Sequence, residues 1–303
     1  MPIGKSFHLT LLVDDLAAAD RFFLGLFAPH CFYRGYAPLP LNRTASLFVI
    51  GDFVIEPMQP HPPADDERGT TIRRLLDRFG PCVQNIAFYA TDLPAIAARM
   101  EACSIRSTDG GQGDRTLFAH PKDFPGLVEL MDPTPAPGRP GGLADPRLRP
   151  QFDPGFWRRS HGLGIALASH VTVVVHDLDR AVRLWSEVME GRVLPHDDDL
   201  MPGARSAYLR VGSDTVIELV EPIDSTCPVS DVLESMGEAV CGVTFLVDDL
   251  DRARRHVERF GGPIFGIQGP GRFELDRKAS FGALIAFTDR RITGDDRQLP
   301  DAR

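Results

Sequence analysis

From Phe7 the chain alternates as a strand does, with Phe7, Leu9, Leu11 and Val13 on one face and His8, Thr10 and Leu12 on the other. Asp15 is placed to cap a helix, and Leu16, Ala19, Phe23 and Leu26 follow at helical spacing. After a Pro-rich loop around Tyr36–Leu41, two further strands are predicted, Ser46–Ile50 and Phe53–Glu56, joined at Gly51-Asp52. The unit therefore reads as strand, helix and closing strands, with a polar His in the first strand and a polar Glu at the end of the last.

That pattern returns three times. QNIAFYATDLPAIAARMEA repeats the strand and Asp-initiated helix, and aligning Asp92-Leu93 with Asp15-Leu16 puts Asn85 where His8 stands. Its closing strands are RTLFAHP and GLVELMD around a turn at Lys122–Pro125, with Glu129 in the position of Glu56. SHVTVVVHDLDRAVRLW opens a third unit, in which His170 lies 162 residues after His8 and Glu218 lies 162 residues after Glu56. The fourth, VCGVTFLVDDLDRARRHVERF, aligns through Asp249-Leu250, so Gly242 takes the His position and Ile285 the Glu position. Repeats at a fixed interval imply repeated supersecondary units. The stretch from Pro133 to Trp157 is so rich in Pro and Gly that neither helix nor central strand should persist there. The expected organisation is a first domain over 1–135, a linker over 136–165, a second domain over 166–293 and a polar tail over 294–303.

Composition narrows the class. With 303 residues, 43% hydrophobic and 25% charged, the chain can fill two ordinary cores. Its net charge of −9 argues against a general nucleic-acid or anionic-membrane surface. No apolar run approaches the roughly 18–20 residues needed to span a bilayer, and no apolar segment of a secretory signal follows Lys5. Five cysteines without a C-x-x-C pair read as reduced thiols of a cytoplasmic protein. The expected partner is a small-molecule substrate, with no nucleic acid and no membrane; a homodimer is one open assembly state.

Four βαβββ units with His in the first strand and Glu in the last resemble the vicinal-oxygen-chelate superfamily, which includes glyoxalase I, methylmalonyl-CoA epimerase, extradiol dioxygenases and bleomycin-resistance proteins. The resemblance implies an α+β fold in which tandem βαβββ modules form two half-open mixed β-barrels. It also implies a divalent metal on a concave face, of the Zn, Ni, Co, Mn or Fe(II) kind, since imidazole and carboxylate suit borderline ions. Chelation of neighbouring substrate oxygens then acidifies a C–H, and a Glu beside the metal relays the proton. On these positions the metal-ligand candidates are His8, Glu56, Glu129, His170 and Glu218, and Glu56 and Glu129 are the catalytic candidates. Asn85 departs from the glyoxalase pattern, which has His there, and the fourth unit offers neither ligand. Modules could pair 1–2 and 3–4 or exchange, and either half could hold the working site.

Three functions follow from this reading. The first is a metal-dependent isomerase, epimerase or lyase; the second is an extradiol-type dioxygenase; the third is a metal-free protein that sequesters a small molecule. A single His in an apolar strand is more often a hydrogen-bonded structural residue than a ligand. The matched His–Glu spacing in two units is what raises both pairs above that reading. His120-Pro121-Lys122-Asp123 resembles an epimerase hairpin but reads first as a tight turn. His196-Asp197-Asp198-Asp199 reads as a solvated loop. Trp157 and Trp185 are expected in cores, and Gly110–Gly113 and Gly269–Gly271 lack the context of a phosphate loop.

Overall fold

The computed structural model describes residues 2–63, 69–110, 113–133, 145–195, 201–265 and 271–301. The first half runs β1 (Ile3–Leu12), α1 (Leu16–Phe27), β2 (His30–Ala37), β3 (Arg43–Ile50), β4 (Phe53–Pro60), α2 (Thr71–Phe79), β5 (Cys82–Ala90), α3 (Leu93–Ala102), β6 (Ser107–Thr108), β7 (Thr116–Ala119) and β8 (Val128–Met131). A 3-10 turn at Pro146–Leu148 and α4 (Gly155–Arg159) lead into the second half. That half runs β9 (Ile165–Val174), α5 (Leu178–Met189), β10 (Arg192–Val193), β11 (Ala204–Val211), β12 (Thr215–Pro222), α6 (Ser230–Met236), β13 (Ala239–Val247), α7 (Leu250–Arg259), β14 (Arg272–Glu274) and β15 (Leu284–Thr288).

Each half is one mixed sheet. The first has the order β2-β3-β4-β1-β5-β8-β7-β6 and the second β10-β11-β12-β9-β13-β15-β14. In both, the opening strand lies parallel to the last strand of its own module and antiparallel to the opening strand of the next, β1 to β5 and β9 to β13. Modules therefore pair first with second and third with fourth. Neither sheet closes into a barrel, and the architecture is the α+β pair of half-open curved sheets that the family resemblance implies.

The repeated Asp-Leu pair works as a helix start in all four modules. The carboxylates of Asp15, Asp92, Asp177 and Asp249 accept the backbone N–H three residues on at 2.8–3.0 Å, and such caps stabilise by about 1 kcal/mol each. The apolar strand face and the helix stripe meet as predicted: Phe7, Leu9, Leu11, Val13, Leu16, Ala19, Phe23 and Leu26 are all buried. Side chains of this size contribute roughly 1.5–3 kcal/mol each on burial. Trp157 and Trp185 are core residues as well, and their indoles donate to the carbonyls of Phe27 and Pro125.

Three local expectations change. Strand β2 precedes the predicted Pro-rich loop, which stands as a turn over 38–42, and is an addition to the expected elements; as an exposed edge strand it has no buried face to leave an alternating signature. A 3-10 turn and the short α4 form within the Pro/Gly-rich stretch. Within that stretch Arg147 is buried, pairs with Asp145, and donates to the carbonyls of Ser6, Phe7 and Asp52. Arg297, in the polar tail, does the same in the other half, pairing with Asp295 and donating to Ala168, Ser169 and Asp214. Each Asp-x-Arg plug fixes the backbone just before a first-strand His. The two halves also clasp reciprocally: the Asp52 carboxylate accepts the N–H of Ala168 at 2.7 Å, and that of Asp214 accepts the N–H of Ser6 at 2.8 Å. The His196–Asp199 run, Gly111-Gln112 and Gly269-Pro270 lie outside the described residues.

Candidate functional site

The pleat puts His8, Thr10, Glu56, Asn85 and Glu129 on the sheet face opposite the helices. Thr10 stands across the ladder from Glu56 on one side and from Asn85 on the other, and Ala87 stands across from Glu129. All five polar residues are buried. His8 Nε2 lies 3.4 Å from Oε2 of Glu56 and 3.4 Å from Oε2 of Glu129, so two carboxylates from different modules converge on one imidazole nitrogen. These are ion-pair contacts without hydrogen-bond geometry, and both His8 ring nitrogens lack a hydrogen-bond partner. Supporting groups hold the carboxylates: Thr10 donates to Glu56 Oε2 at 3.0 Å, Arg43 Nη2 lies 3.2 Å from Glu56 Oε1, and Asn85 donates to Glu129 Oε2 at 2.8 Å.

In the second half the equivalent face carries His170 and Glu218, both fully buried, with Nε2 and Oε2 3.4 Å apart. Glu218 is held more tightly than Glu56. Thr172 donates to Oε2 and Tyr208 to Oε1, each at 2.7 Å. Burial pushes the Glu218 carboxyl up, but the neighbouring His170, with Arg272 and the Thr172 hydroxyl, outweighs it and holds the group at about 2. Nδ1 of His170 lies 3.1 Å from the Ser169 hydroxyl. Among the described residues the fourth module supplies no carboxylate within ion-pair distance of His170. Its register corrects one assignment: Val243 pairs with Ile285 and Thr244 with Ala286, so Ala286 occupies the position of Glu129 and Ile285 points into the core. A one-residue slip in a strand moves a side chain to the opposite face.

The five predicted residues thus fall into two groups, His8 with Glu56 and Glu129 and His170 with Glu218. Thr10 and Thr172 complete the constellations, and the repeated His-x-Thr spelling carried that signal. Arg43, Tyr208 and Arg272 had no such signal, because they come from strands whose spacing to the His is not repeated. The His120–Asp123 run is an exposed tight turn whose Asp123 pairs with Arg106. All five cysteines are free, and burial pushes the thiols of Cys82 and Cys241 up to about 11 and about 12.

Among the described residues no group of three or more His, Cys, Asp or Glu side chains already stands as a metal cage. The donor set of the first half nevertheless fits a divalent ion in kind: an imidazole without another partner and two carboxylates that approach it. In the second half, among the described residues, His170 meets one fully hydrogen-bonded carboxylate and no second one comes within ion-pair distance of it, which does not fit.

Residues 169–281 match the family model described as the glyoxalase/bleomycin resistance protein/dioxygenase superfamily. No curated protein sequence matches the chain. Among solved structures, a triple mutant of 4-hydroxymandelate synthase from Streptomyces coelicolor is similar over 98% of this chain and 95% of its own, with a TM-score of 0.67 at 14% identity, a likeness of fold. Methylmalonyl-CoA epimerase from Mycobacterium tuberculosis matches 41% of this chain and 87% of its own at 24% identity, with a TM-score of 0.38.

Proposed function

We propose that the chain is a member of the glyoxalase/bleomycin resistance protein/dioxygenase superfamily, whose model matches residues 169–281, and that its first half carries the chemistry, as a metal-dependent isomerase, epimerase or lyase of a small oxygenated substrate. One observation carries the reading: Glu56 and Glu129, from separate modules, approach the same buried nitrogen of His8. These three residues would hold a divalent ion. Such an ion, when bound, draws charge from neighbouring substrate oxygens and acidifies the adjacent C–H.

The two glutamates differ in freedom. Both oxygens of Glu56 are engaged, one by Arg43 and one by Thr10, which suits a ligand of fixed orientation. Glu129 is held through Oε2 by Asn85, while among the described residues its Oε1 takes no hydrogen bond. Glu129 Oε1 is therefore the group that takes the C–H proton and returns it, with Asn85 as its positioning residue. An extradiol dioxygenase would call for two His and one carboxylate, and among the described residues each face carries a single His. The missing donors at Gly242 and Ala286 instead favour a metal-free binding role for the second half.

The test is hydrogen–deuterium exchange at carbon, followed by NMR in D2O with added divalent metal and a panel of 2-hydroxy ketones and 2-hydroxyacyl thioesters. Metal-dependent exchange is expected in the wild-type protein and its loss in Glu56→Gln and Glu129→Gln variants that keep the native circular dichroism. Exchange that survives in both variants would contradict the proposal.

A further inference from the structure

The second half holds a buried cation that makes no hydrogen bond to the His170–Glu218 pair. Arg272 is only 6% exposed, yet its Nε, Nη1 and Nη2 all lack a hydrogen-bond partner. A buried guanidinium left in that state is unfavourable by several kcal/mol unless an acceptor meets it. The neighbouring carboxylates compensate its charge without supplying that acceptor. Both oxygens of Glu218 are taken by Thr172 and Tyr208, although Arg272 is close enough to help hold the carboxyl down. Burial pushes Glu274, two residues along the same strand, up from the ordinary carboxylate range against the pull of Arg272 and Arg277.

Two more groups on the face have spare hydrogen-bonding capacity: Thr244 is fully buried with no hydrogen-bond partner for its hydroxyl, and His170 Nε2, though it faces Glu218 at 3.4 Å, makes no hydrogen bond. The register brings these groups into one strip. Thr244 stands across from His170 on one side and from Ala286 on the other; Ala286 stands across from Glu274, and Arg272 from Thr288. Ala286 is the position at which the first half has Glu129, so only a methyl group separates the Thr244 hydroxyl from the strand that bears Arg272. The first half has Thr116 at the position of Arg272. Where the fourth module lost its carboxylate it gained a planar, forked donor, and the acceptor that matches such a fork in two parallel bonds is a carboxylate.

We infer that the concave face of the second half is a metal-free binding site for a small carboxylate, gripped by Arg272 and flanked by the Thr244 hydroxyl and His170 Nε2. His170, Thr244 and Glu218 are all at 0–1% exposure, so short acyl or aryl monocarboxylates are the ligands to test. The site is independent of the chemistry proposed for the first half.

Calorimetric titration of the full chain with acetate, propionate and benzoate, alongside their methyl esters, sulfate and phosphate, tests this. Saturable binding of at least one carboxylate is expected, with no binding of its ester and weaker binding of the tetrahedral anions. Arg272→Gln should weaken it roughly 10–100-fold, and Thr244→Val should weaken it by about threefold to tenfold. Metal-dependent exchange in the first half should be unchanged in both. If Arg272→Gln does not fold, the ester comparison and Thr244→Val decide the matter in its place. Absence of saturable carboxylate binding, equal binding of the esters or of sulfate, or binding that survives in a folded Arg272→Gln protein overturns the inference.

Discussion

The two halves use one strand plan and arrive at opposite electrostatics. In the first, a single imidazole is approached by two carboxylates, and among the described residues one carboxylate oxygen takes no hydrogen bond. In the second, the carboxylate beside the imidazole is engaged by His170, Thr172 and Tyr208, and a buried guanidinium on the same face makes no hydrogen bond. The difference comes from the even-numbered modules. The second module contributes Asn85 and Glu129, while the fourth contributes Gly242, Ala286 and, one strand further, Arg272. A duplicated scaffold keeps its His and Glu in the odd modules, and the even modules decide whether that pair faces a further base or a cation.

The largest expected effect separates the halves by activity. Glu129→Gln should lower metal-dependent turnover by about 10²–10⁴-fold, the range for loss of a general base, while Glu218→Gln leaves it within a factor of a few. Equal losses in both would merge the two faces into one functional unit. Stability should show the reverse order. Glu218→Gln or His170→Ala breaks a fully buried pair and is expected to destabilise the protein by about 3–5 kcal/mol in urea titration. Glu129→Gln, whose Oε1 has no bond to lose, should cost less.

The pH dependence follows from the same pair. Glu218 is held at about 2 against an ordinary 4.5, so its folded form binds its proton less readily than the unfolded chain. Its stabilising contribution is complete above about 4.5 and is lost as pH falls toward about 2. The stability gap between wild type and Glu218→Gln, measured by denaturant titration across that window, should shrink steadily with falling pH. A gap that widens on acidification would show that the carboxylate is not held down by its partners. The smallest contrast is between Thr10→Val and Thr172→Val. Each removes one hydroxyl bond to a carboxylate, for about 1.5–3 kcal/mol, and the second should be the larger because its bond is 2.7 Å against 3.0 Å in a fully buried setting.

Much of this was legible in the chain because it obeyed period and repeat. Alternation put His8 and Thr10 on one face, the Asp-Leu pairs marked four helix starts, and one interval tied His8 to His170 and Glu56 to Glu218. The residues that escaped are those whose signal is not periodic. Strand β2 is an exposed edge with no buried face. Ala286 was misread as Ile285 because adjacent positions in a strand differ only by facing, and an apolar run buried on both sides does not reveal which residue faces which way. Arg147 and Arg297 sit in segments that hydropathy marks as linker and tail, where a guanidinium folded onto its own Asp and onto strand carbonyls leaves no pattern. Arg272 was invisible for the same reason, since nothing in its spacing marks which face of the sheet it lies on.

The claim that the first half is the metal-bearing half is tested most directly by counting metal per chain. After dialysis against a divalent metal and removal of the excess, elemental analysis should give one ion per chain in the wild type and in His170→Ala, and a loss of at least most of it in His8→Ala. Metal that persists in His8→Ala, disappears in His170→Ala, or never reaches stoichiometry in the wild type would contradict the account.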